Sequence, residues 1–393
     1  MTPVDQARLD AVRKALADAQ LDALICRLAE HVVLLAGYYP QIGQTFCVFP
    51  ADGEPVLVMP RFEQEFADRG FVADRRLFDT WQNRYPAPAE SIGKLLRQVV
   101  DEKGLRAKAV GYEGRFETIA PNQLSGEPTG AGALSLDLIR EAVGGDRLVD
   151  ATDLLYQLRA RKTPTELARL AIANEVAAIG LRAFKEHAVA GNTEAGVSAA
   201  VESAIRRDGC GYLGARFAFG WGQVTSGPAT SENWGYPTSS ARKLERGDLV
   251  VIELGVVVDG YWADVTRTVT VGSANDRQRE VYDLVQRAQA ASLAAARPGA
   301  SGEGVDAVGR QIIADGGYGN AFVHHTGHGI GFRYHEPIPF VAPGSSHTLE
   351  EGHVHSIEPG IYVPGFGGCR LEDNCAVLAQ GGRFLAEADI PLD

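Results

Sequence analysis

The stretch from His324 to Pro337 carries four histidines, at positions 324, 325, 328 and 335, set among glycines. Carboxylates stand on either side of it, Glu253 and Asp264 before and Glu358 and Glu372 after. Imidazole and carboxylate together suit a hard-to-borderline divalent metal. Glycines let backbone and substrate approach one another closely. A single histidine is ordinarily a packed, hydrogen-bonded core residue. An ordered series of acid, acid, histidine, acid, acid is not explained by packing.

The elements that must position these groups follow from local pattern. Leu249–Val258 and Tyr261–Val271 are two apolar, β-branched runs joined by Asp259-Gly260. That dipeptide between such runs predicts a two-residue hairpin turn. The turn fixes a register in which Val258 faces Tyr261, Gly255 faces Asp264 and Glu253 faces Thr266. Alternation then puts Glu253, Gly255, Trp262, Asp264 and Thr266 on one face, with Glu253 and Asp264 diagonal neighbours roughly 7–8 Å apart at the backbone. Gly255 leaves room opposite Asp264 for something other than a side chain. Two like charges on one face repel unless a cation sits between them, and Trp262 with the apolar flanks argues against a merely solvated face. Further on, the Val354–Tyr362 run and the run from Gly368 to Asn374 read as successive strands. Arg370 and Glu372 share a face, while Glu358 faces away from His353 and His355. Those two histidines read as packed or solvent-facing, and His31, His187 and His347 have no ligand-like surroundings.

Around this lies a chain of 393 residues, long enough for two cores. A helix over 5–20, short strands over 23–26, 46–49, 55–59 and 109–112, and a helix over 90–103 predict an α/β N-terminal domain with a mixed sheet, residues 1–155. Thr163-Pro164-Thr165-Glu166 is a helix start, with a capping threonine, proline in the first turn and glutamate reaching back. The helix that follows carries Leu167, Leu170, Ala171, Ala177, Ala178, Leu181 and Phe184 at helical spacing, interrupted by Asn174. Helices over 276–296 and 302–315, with strands around them, make residues 156–393 an α+β domain whose chemistry sits on strands. The net charge of −12 argues against nucleic acid as a partner. No window has the apolar length of a membrane span, and Met1–Asp5 lacks the basic and apolar regions of a secretory signal. Five cysteines at scattered spacing read as reduced thiols in a cytoplasmic protein. The glycine runs at 220–222 and 327–329 lack the helix and ribose-binding acid of a dinucleotide loop.

The motifs Gly247-Asp248-Leu249-Val250, Asp259-Gly260-Tyr261, Asp264-Val265-Thr266-Arg267, Thr326-Gly327-His328-Gly329-Ile330-Gly331, Ile357-Glu358-Pro359-Gly360 and Arg370-Leu371-Glu372-Asp373 together closely resemble the creatinase/aminopeptidase P/prolidase family of pita-bread metallopeptidases. The likeness extends over nearly the whole chain. Val32-Val33-Leu34-Leu35-Ala36-Gly37-Tyr38 is similar to the creatinase-type N-terminal domain, and residues from about 160 onward resemble the catalytic domain. The resemblance implies two divalent ions, manganese, cobalt or zinc, held by Glu253, Asp264, His328, Glu358 and Glu372, with Asp264 and Glu372 bridging. It implies that His324 and His335 hold the substrate and stabilise the tetrahedral intermediate, that Glu358 accepts the proton of the attacking water, and that Arg370 supports the neighbouring carboxylate or the substrate. The expected substrate is a short peptide cut before proline, by an Xaa-Pro dipeptidase or aminopeptidase working as a homodimer.

Two positions depart from the family pattern. The first ligand there is aspartate, whereas this chain has Glu253, whose extra methylene moves the carboxylate by about 1.5 Å. The family peptidases also carry a histidine shortly before that ligand, and the matching stretch here is Ser231–Pro237 without one. These departures keep open a non-peptidase C–N hydrolase of a small amidine or cyclic amide, similar to creatinase or ectoine hydrolase. Such an enzyme can work without metal, with Glu253 in a direct catalytic role. A binding module that kept the fold alone would have little reason to retain the ligand series together with His324, His335 and Arg370.

Overall fold

Short apolar runs alternating with amphipathic helices build the first of two units, Met1–Arg159, and the second runs from Ala160 to Asp393. The computed structural model describes residues 4–80, 88–115, 132–145, 147–232, 234–235 and 237–393. Residues 1–3 of the N-terminal reading, and Asn233 and Tyr236 of the stretch lacking the histidine, lie outside them.

The first unit comprises α1 (Gln6–Asp18), β1 (Ala23–Cys26), α2 (Ala29–Ala36), β2 (Phe46–Pro50), β3 (Val56–Pro60), α3 (Gln64–Ala67), β4 (Asp74–Phe78), α4 (Pro88–Glu102), β5 (Val110–Tyr112), α5 (Ala133–Val143), β6 (Leu148–Asp150) and α6 (Thr152–Ala160). Its strands form one sheet in the order β4-β3-β2-β1-β5-β6. The sheet is mixed: β2 runs antiparallel to both neighbours, and β1, β5 and β6 are mutually parallel. The strand β1 is buried along its whole length, which is why its four residues are apolar without alternation. Ile25, Val48 and Val58 pack with Leu96, Val99 and Ile139 from α4 and α5. His31 is buried here, its Nδ1 2.6 Å from Glu113 Oε1 and its Nε2 3.1 Å from Arg159 Nη1. The Glu113 carboxylate also accepts from the Arg27 and Leu28 amides. This histidine is satisfied by protein groups, so it serves packing.

The second unit comprises α7 (Pro164–His187), α8 (Glu194–Ala204), β7 (Ala218–Ser226), β8 (Leu249–Val258), β9 (Tyr261–Thr270), α9 (Asp276–Ala295), α10 (Gly302–Asp315), β10 (Gly327–Gly329), β11 (Glu336–Val341), β12 (Val354–Ile357), β13 (Gly360–Val363), β14 (Gly367–Arg370), β15 (Asp373–Leu378) and β16 (Gly381–Phe384). Sheet order is β7-β8-β9 in one sheet, β11-β10-β12-β15-β16 in a second and β13-β14 in a third. An α/β unit followed by an α+β unit is the architecture that the sequence predicts. The helix α7 starts on the expected capping box: the Glu166 amide donates to Thr163 Oγ1 at 3.2 Å and the Thr163 amide to Glu166 Oε2 at 2.8 Å. Asn174, which breaks its apolar face, is buried and donates to the Leu170 carbonyl at 2.9 Å. Leu181 and Phe184 of α7 and Val197 and Val201 of α8 pack on Ile252, Leu254 and Val256 of β8.

Two strand readings need correcting. The runs expected to be continuous over Val354–Tyr362 and over Gly368 to Asn374 are each two strands, broken at Glu358-Pro359 and at Leu371-Glu372. Proline has no N–H to give a ladder, and at the second break Glu372 instead exchanges backbone hydrogen bonds with Thr266 of β9, at 3.1 and 3.4 Å. Both breaks fall on candidate site residues. The expected boundary near residue 155 and the division between Arg159 and Ala160 both fall within α6.

Replacing Thr163 by alanine removes the cap of the longest helix in the second unit. The expected loss is about 1 kcal/mol, read as a lower urea midpoint for that unit at unchanged far-UV circular dichroism. An unchanged midpoint would show that packing alone holds the start of α7.

Candidate metal centre

The β8–β9 hairpin adopts the expected register, with Glu253 opposite Thr266, Gly255 opposite Asp264 and Val258 opposite Tyr261. Asp259 and Gly260 both have positive φ, +48° and +90°, as the turn between such strands requires. The register brings Glu253 and Asp264 to the same face, where they meet Glu372 from the β14–β15 break, the three carboxylates lying within 4.8 Å of one another. Thr266 ties them together. Its hydroxyl lies 2.8 Å from Glu253 Oε2 and 2.7 Å from Glu372 Oε2.

His328 enters from β10. This strand is squeezed between β11 and β12, and a Cβ at Gly327 or Gly329 would run into the Ser356 and Ile338 carbonyls. Here the glycines serve close backbone approach, and that approach puts the His328 ring 3.4 Å from both Asp264 Oδ2 and Glu358 Oε1. Its Nδ1 faces the Gly329 carbonyl at 2.9 Å, leaving Nε2 toward the carboxylates. Glu358, at the end of β12, accepts from Ser356 Oγ at 3.0 Å and lies 3.5 Å from His325 Nε2.

Electrostatics show what this crowding costs. Burial, then the charges of Glu372, Glu253 and Glu358, push the Asp264 carboxyl well above its usual range. Burial, then Glu358 and Glu253, do the same to Glu372. Glu358 goes the other way: burial would raise it, but the His325 hydrogen bond and the nearby imidazoles outweigh that and hold it well below the usual carboxylate range. Burial also lowers the His328 imidazole, keeping the ring neutral as a ligand requires.

Three buried atoms at this place have no hydrogen-bond partner, Asp264 Oδ2, Glu372 Oε1 and His328 Nε2. Unpaired buried groups of that kind cost about 1–3 kcal/mol each, more when charged. Two carboxylates and a neutral imidazole match the donor set of a divalent cation, so these residues fit one. The corner at Glu253 differs. Glu253 Oε1 accepts from the Tyr334 hydroxyl, and Oε2 from Thr266 and the Arg370 guanidinium, so neither oxygen lacks a partner.

The remaining expected residues cluster around this centre. His335 lies 3.7 Å from Asp264 Oδ2 and stands edge-on to His328, ring centres 4.0 Å apart. It therefore also lies within reach of a cation at Asp264 and His328. The His324 Nε2 is 2.9 Å from the Tyr362 hydroxyl, which accepts from Arg370 Nη1 at 3.0 Å. Burial pushes the His324 imidazole down to about 4. Trp234, from the stretch where the family histidine is missing, stacks on His324 with ring centres 5.5 Å apart.

The sequence reading missed Trp221, Trp234, Tyr334 and Tyr362. The space at Gly255 is filled by a side chain after all: a Cβ there would lie 2.5 Å from the Trp221 indole of the neighbouring strand. The tyrosine beside His335 was the one visible signal for Tyr334. His355 of β12 and His353 just before that strand are buried, and neither belongs to a candidate ligand group among the described residues.

The model of metallopeptidase family M24 matches residues 168–379, and that of the creatinase/prolidase N-terminal domain matches residues 8–161. An Xaa-Pro dipeptidase of Pyrococcus furiosus is 36% identical over 237 residues, 60% of this chain and 66% of that protein. The matched part is thus just under two thirds of that relative's length. A protein of Mycobacterium tuberculosis described as probable dipeptidase PepE is 32% identical over 95% of this chain and 92% of its own length. The crystal structure of the prolidase from Pyrococcus horikoshii superposes with a TM-score of 0.75 at 26% identity, covering 98% of this chain and all of that one.

Burial, and then the charge of Lys162, depress the His353 imidazole to about 3, with His355, Arg161 and His347 adding to the effect. Burial depresses His355 to about 4. A folded-state value below the unfolded one means that the unfolded chain takes up protons first as pH falls. Stability is therefore lost from about pH 6.5 downward, toward these lowered values. His353→Asn, which keeps an acceptor for the Glu350 amide, is expected to lose less melting temperature than the wild type between about pH 7.5 and about pH 5. Equal losses would remove His353 from the acid sensitivity.

Proposed function

This chain belongs to metallopeptidase family M24, and from that premise we propose that it hydrolyses short peptides at the bond before proline, as an Xaa-Pro dipeptidase or aminopeptidase. The observation that carries the reading is the set of three unpartnered buried atoms, Asp264 Oδ2, Glu372 Oε1 and His328 Nε2, beside the ionised Glu358. The ligands proposed are Asp264, His328, Glu358 and Glu372, with Glu253 facing a second position and manganese, cobalt or zinc as the metal. A divalent ion bound there supplies Lewis acidity, lowering the pKa of a water and polarising the scissile carbonyl.

The chain's own residues do the rest. Glu358, kept ionised by His325 and the nearby imidazoles, is the group placed to take the proton of the attacking water. His324 and His335 flank the centre from two sides and hold the substrate carbonyl and the developing oxyanion, a type of contact whose loss costs about 10²–10³ in turnover. The relay from His324 through Tyr362 and Arg370 to Glu253 holds these groups in fixed relation. Trp234 offers a flat apolar wall beside His324, suited to a proline ring. The five cysteines are unbonded and four are buried, which supports the cytoplasmic reading. The homodimer rests on the family resemblance, and light scattering on the purified chain tests it.

Turnover of Xaa-Pro dipeptides by metal-loaded protein is expected, with none of amidines or cyclic amides. The reverse pattern would replace this reading by the C–N hydrolase. His328→Ala should abolish turnover and lower bound metal together, since it removes the nitrogen donor of the proposed set. His335→Ala should keep its metal and lose about 10²–10³ in kcat. If its metal content fell in step with activity, His335 would be a ligand.

A further inference from the structure

Tyr334 is a buried group at the centre that the proposed function does not use, and it stands where a second cation would go. Its hydroxyl bonds Glu253 Oε1 and lies 2.7 Å from Asp264 Oδ1. A cation joining those two oxygens needs each at about 2.0–2.2 Å. An oxygen within hydrogen-bond reach of both fills the same space, so hydroxyl and cation exclude each other. The ring is not free to swing away. Tyr334 is 2% exposed, and its ring meets Trp221 edge-on at 4.8 Å and Trp262 at 6.0 Å. Trp221 in turn lies over Gly255, where any Cβ would displace it.

The glutamate at 253 belongs to the same arrangement. Aspartate on that strand would end about 1.5 Å short, away from the hydroxyl. The longer side chain reaches Tyr334 with one oxygen, and Thr266 and Arg370 with the other. Both Glu253 oxygens are engaged, whereas Asp264 Oδ2, Glu372 Oε1 and His328 Nε2 have no partner.

We propose that the Tyr334 hydroxyl closes the Glu253 corner, so that this chain binds a single divalent cation, at Asp264, His328, Glu358 and Glu372. The proposal rests on the metallopeptidase reading and specifies its stoichiometry. Glu253 then acts as a positioning residue, holding Tyr334 and Arg370 in place, and is not a ligand.

The test is a titration of the full-length chain, stripped with chelator, with Co²⁺ alone. Bound metal is measured by elemental analysis after gel filtration, and the visible absorption of the bound ion is followed in parallel. The wild type is expected to saturate at one equivalent. Tyr334→Phe keeps the ring against Trp221 and removes only the hydroxyl, so it is expected to saturate at two, with a second absorption component and an unchanged near-UV circular dichroism spectrum. Two equivalents in the wild type, or one in Tyr334→Phe, would overturn the proposal while leaving the metallopeptidase reading intact. No bound metal in the wild type would overturn that reading itself, and this proposal with it.

Discussion

Burying four carboxylates in one space is the constraint that the second unit is arranged around. Each ionised carboxylate taken out of water costs several kcal/mol unless charge and hydrogen bonds repay it, and here Asp264 feels the charges of Glu372, Glu253 and Glu358, and Glu372 those of Glu358 and Glu253. The chain repays part of this itself. Arg370 pairs with Glu253, Thr266 bridges Glu253 and Glu372, and His325 with Ser356 holds Glu358. What remains unpaid converges on Asp264, Glu372 and His328, and a divalent ion is the group whose charge and ligand preferences match the deficit.

The backbone follows from that demand. A hairpin of fixed register delivers two acids to one face, but sheet alternation alone could not bring Glu358 and Glu372 to the same point. Both sit where a strand stops. At each break the local ladder is given up and the acid is released from the pleat, with Glu372 re-anchored by its backbone exchange with Thr266. The price in backbone pairing is small, because Pro359 could not have donated in any case.

Features set by neighbours in sequence were the legible ones. The hairpin register followed from Asp259-Gly260 and a period of two, and the start of α7 from four consecutive residues. The candidate site acids and His328 were legible by type and order. Groups placed by tertiary contact were not. Trp221 comes from β7, a strand whose glycines hide its pattern, and nothing local to Gly255 announces that an indole will fill its notch. Tyr334 sits in a glycine-rich loop, where neither helical nor strand periodicity says which way a side chain points. The break at Leu371-Glu372 was missed for the same reason: a run of apolar residues shows that a segment is extended, while the partner that interrupts it lies about 100 residues away in sequence. The other break had a local signal, Pro359, inside the run that was read as one strand.

The crowding also couples stability to function. A site that leaves charged atoms unpaired destabilises the metal-free chain, and a ligand that binds only the folded form restores stability by RT ln(1 + [L]/Kd), about 2.7 kcal/mol at a hundred times Kd. A hydrophobic replacement of the same volume would relieve the strain without any ligand, but it would remove the groups proposed to hold the ion. The hydrogen bonds among Tyr334, Thr266, Arg370 and Glu253 are a compromise between these extremes. They neutralise one corner of the acid cluster with protein groups, and they leave the other corner open to the ion that the chemistry requires.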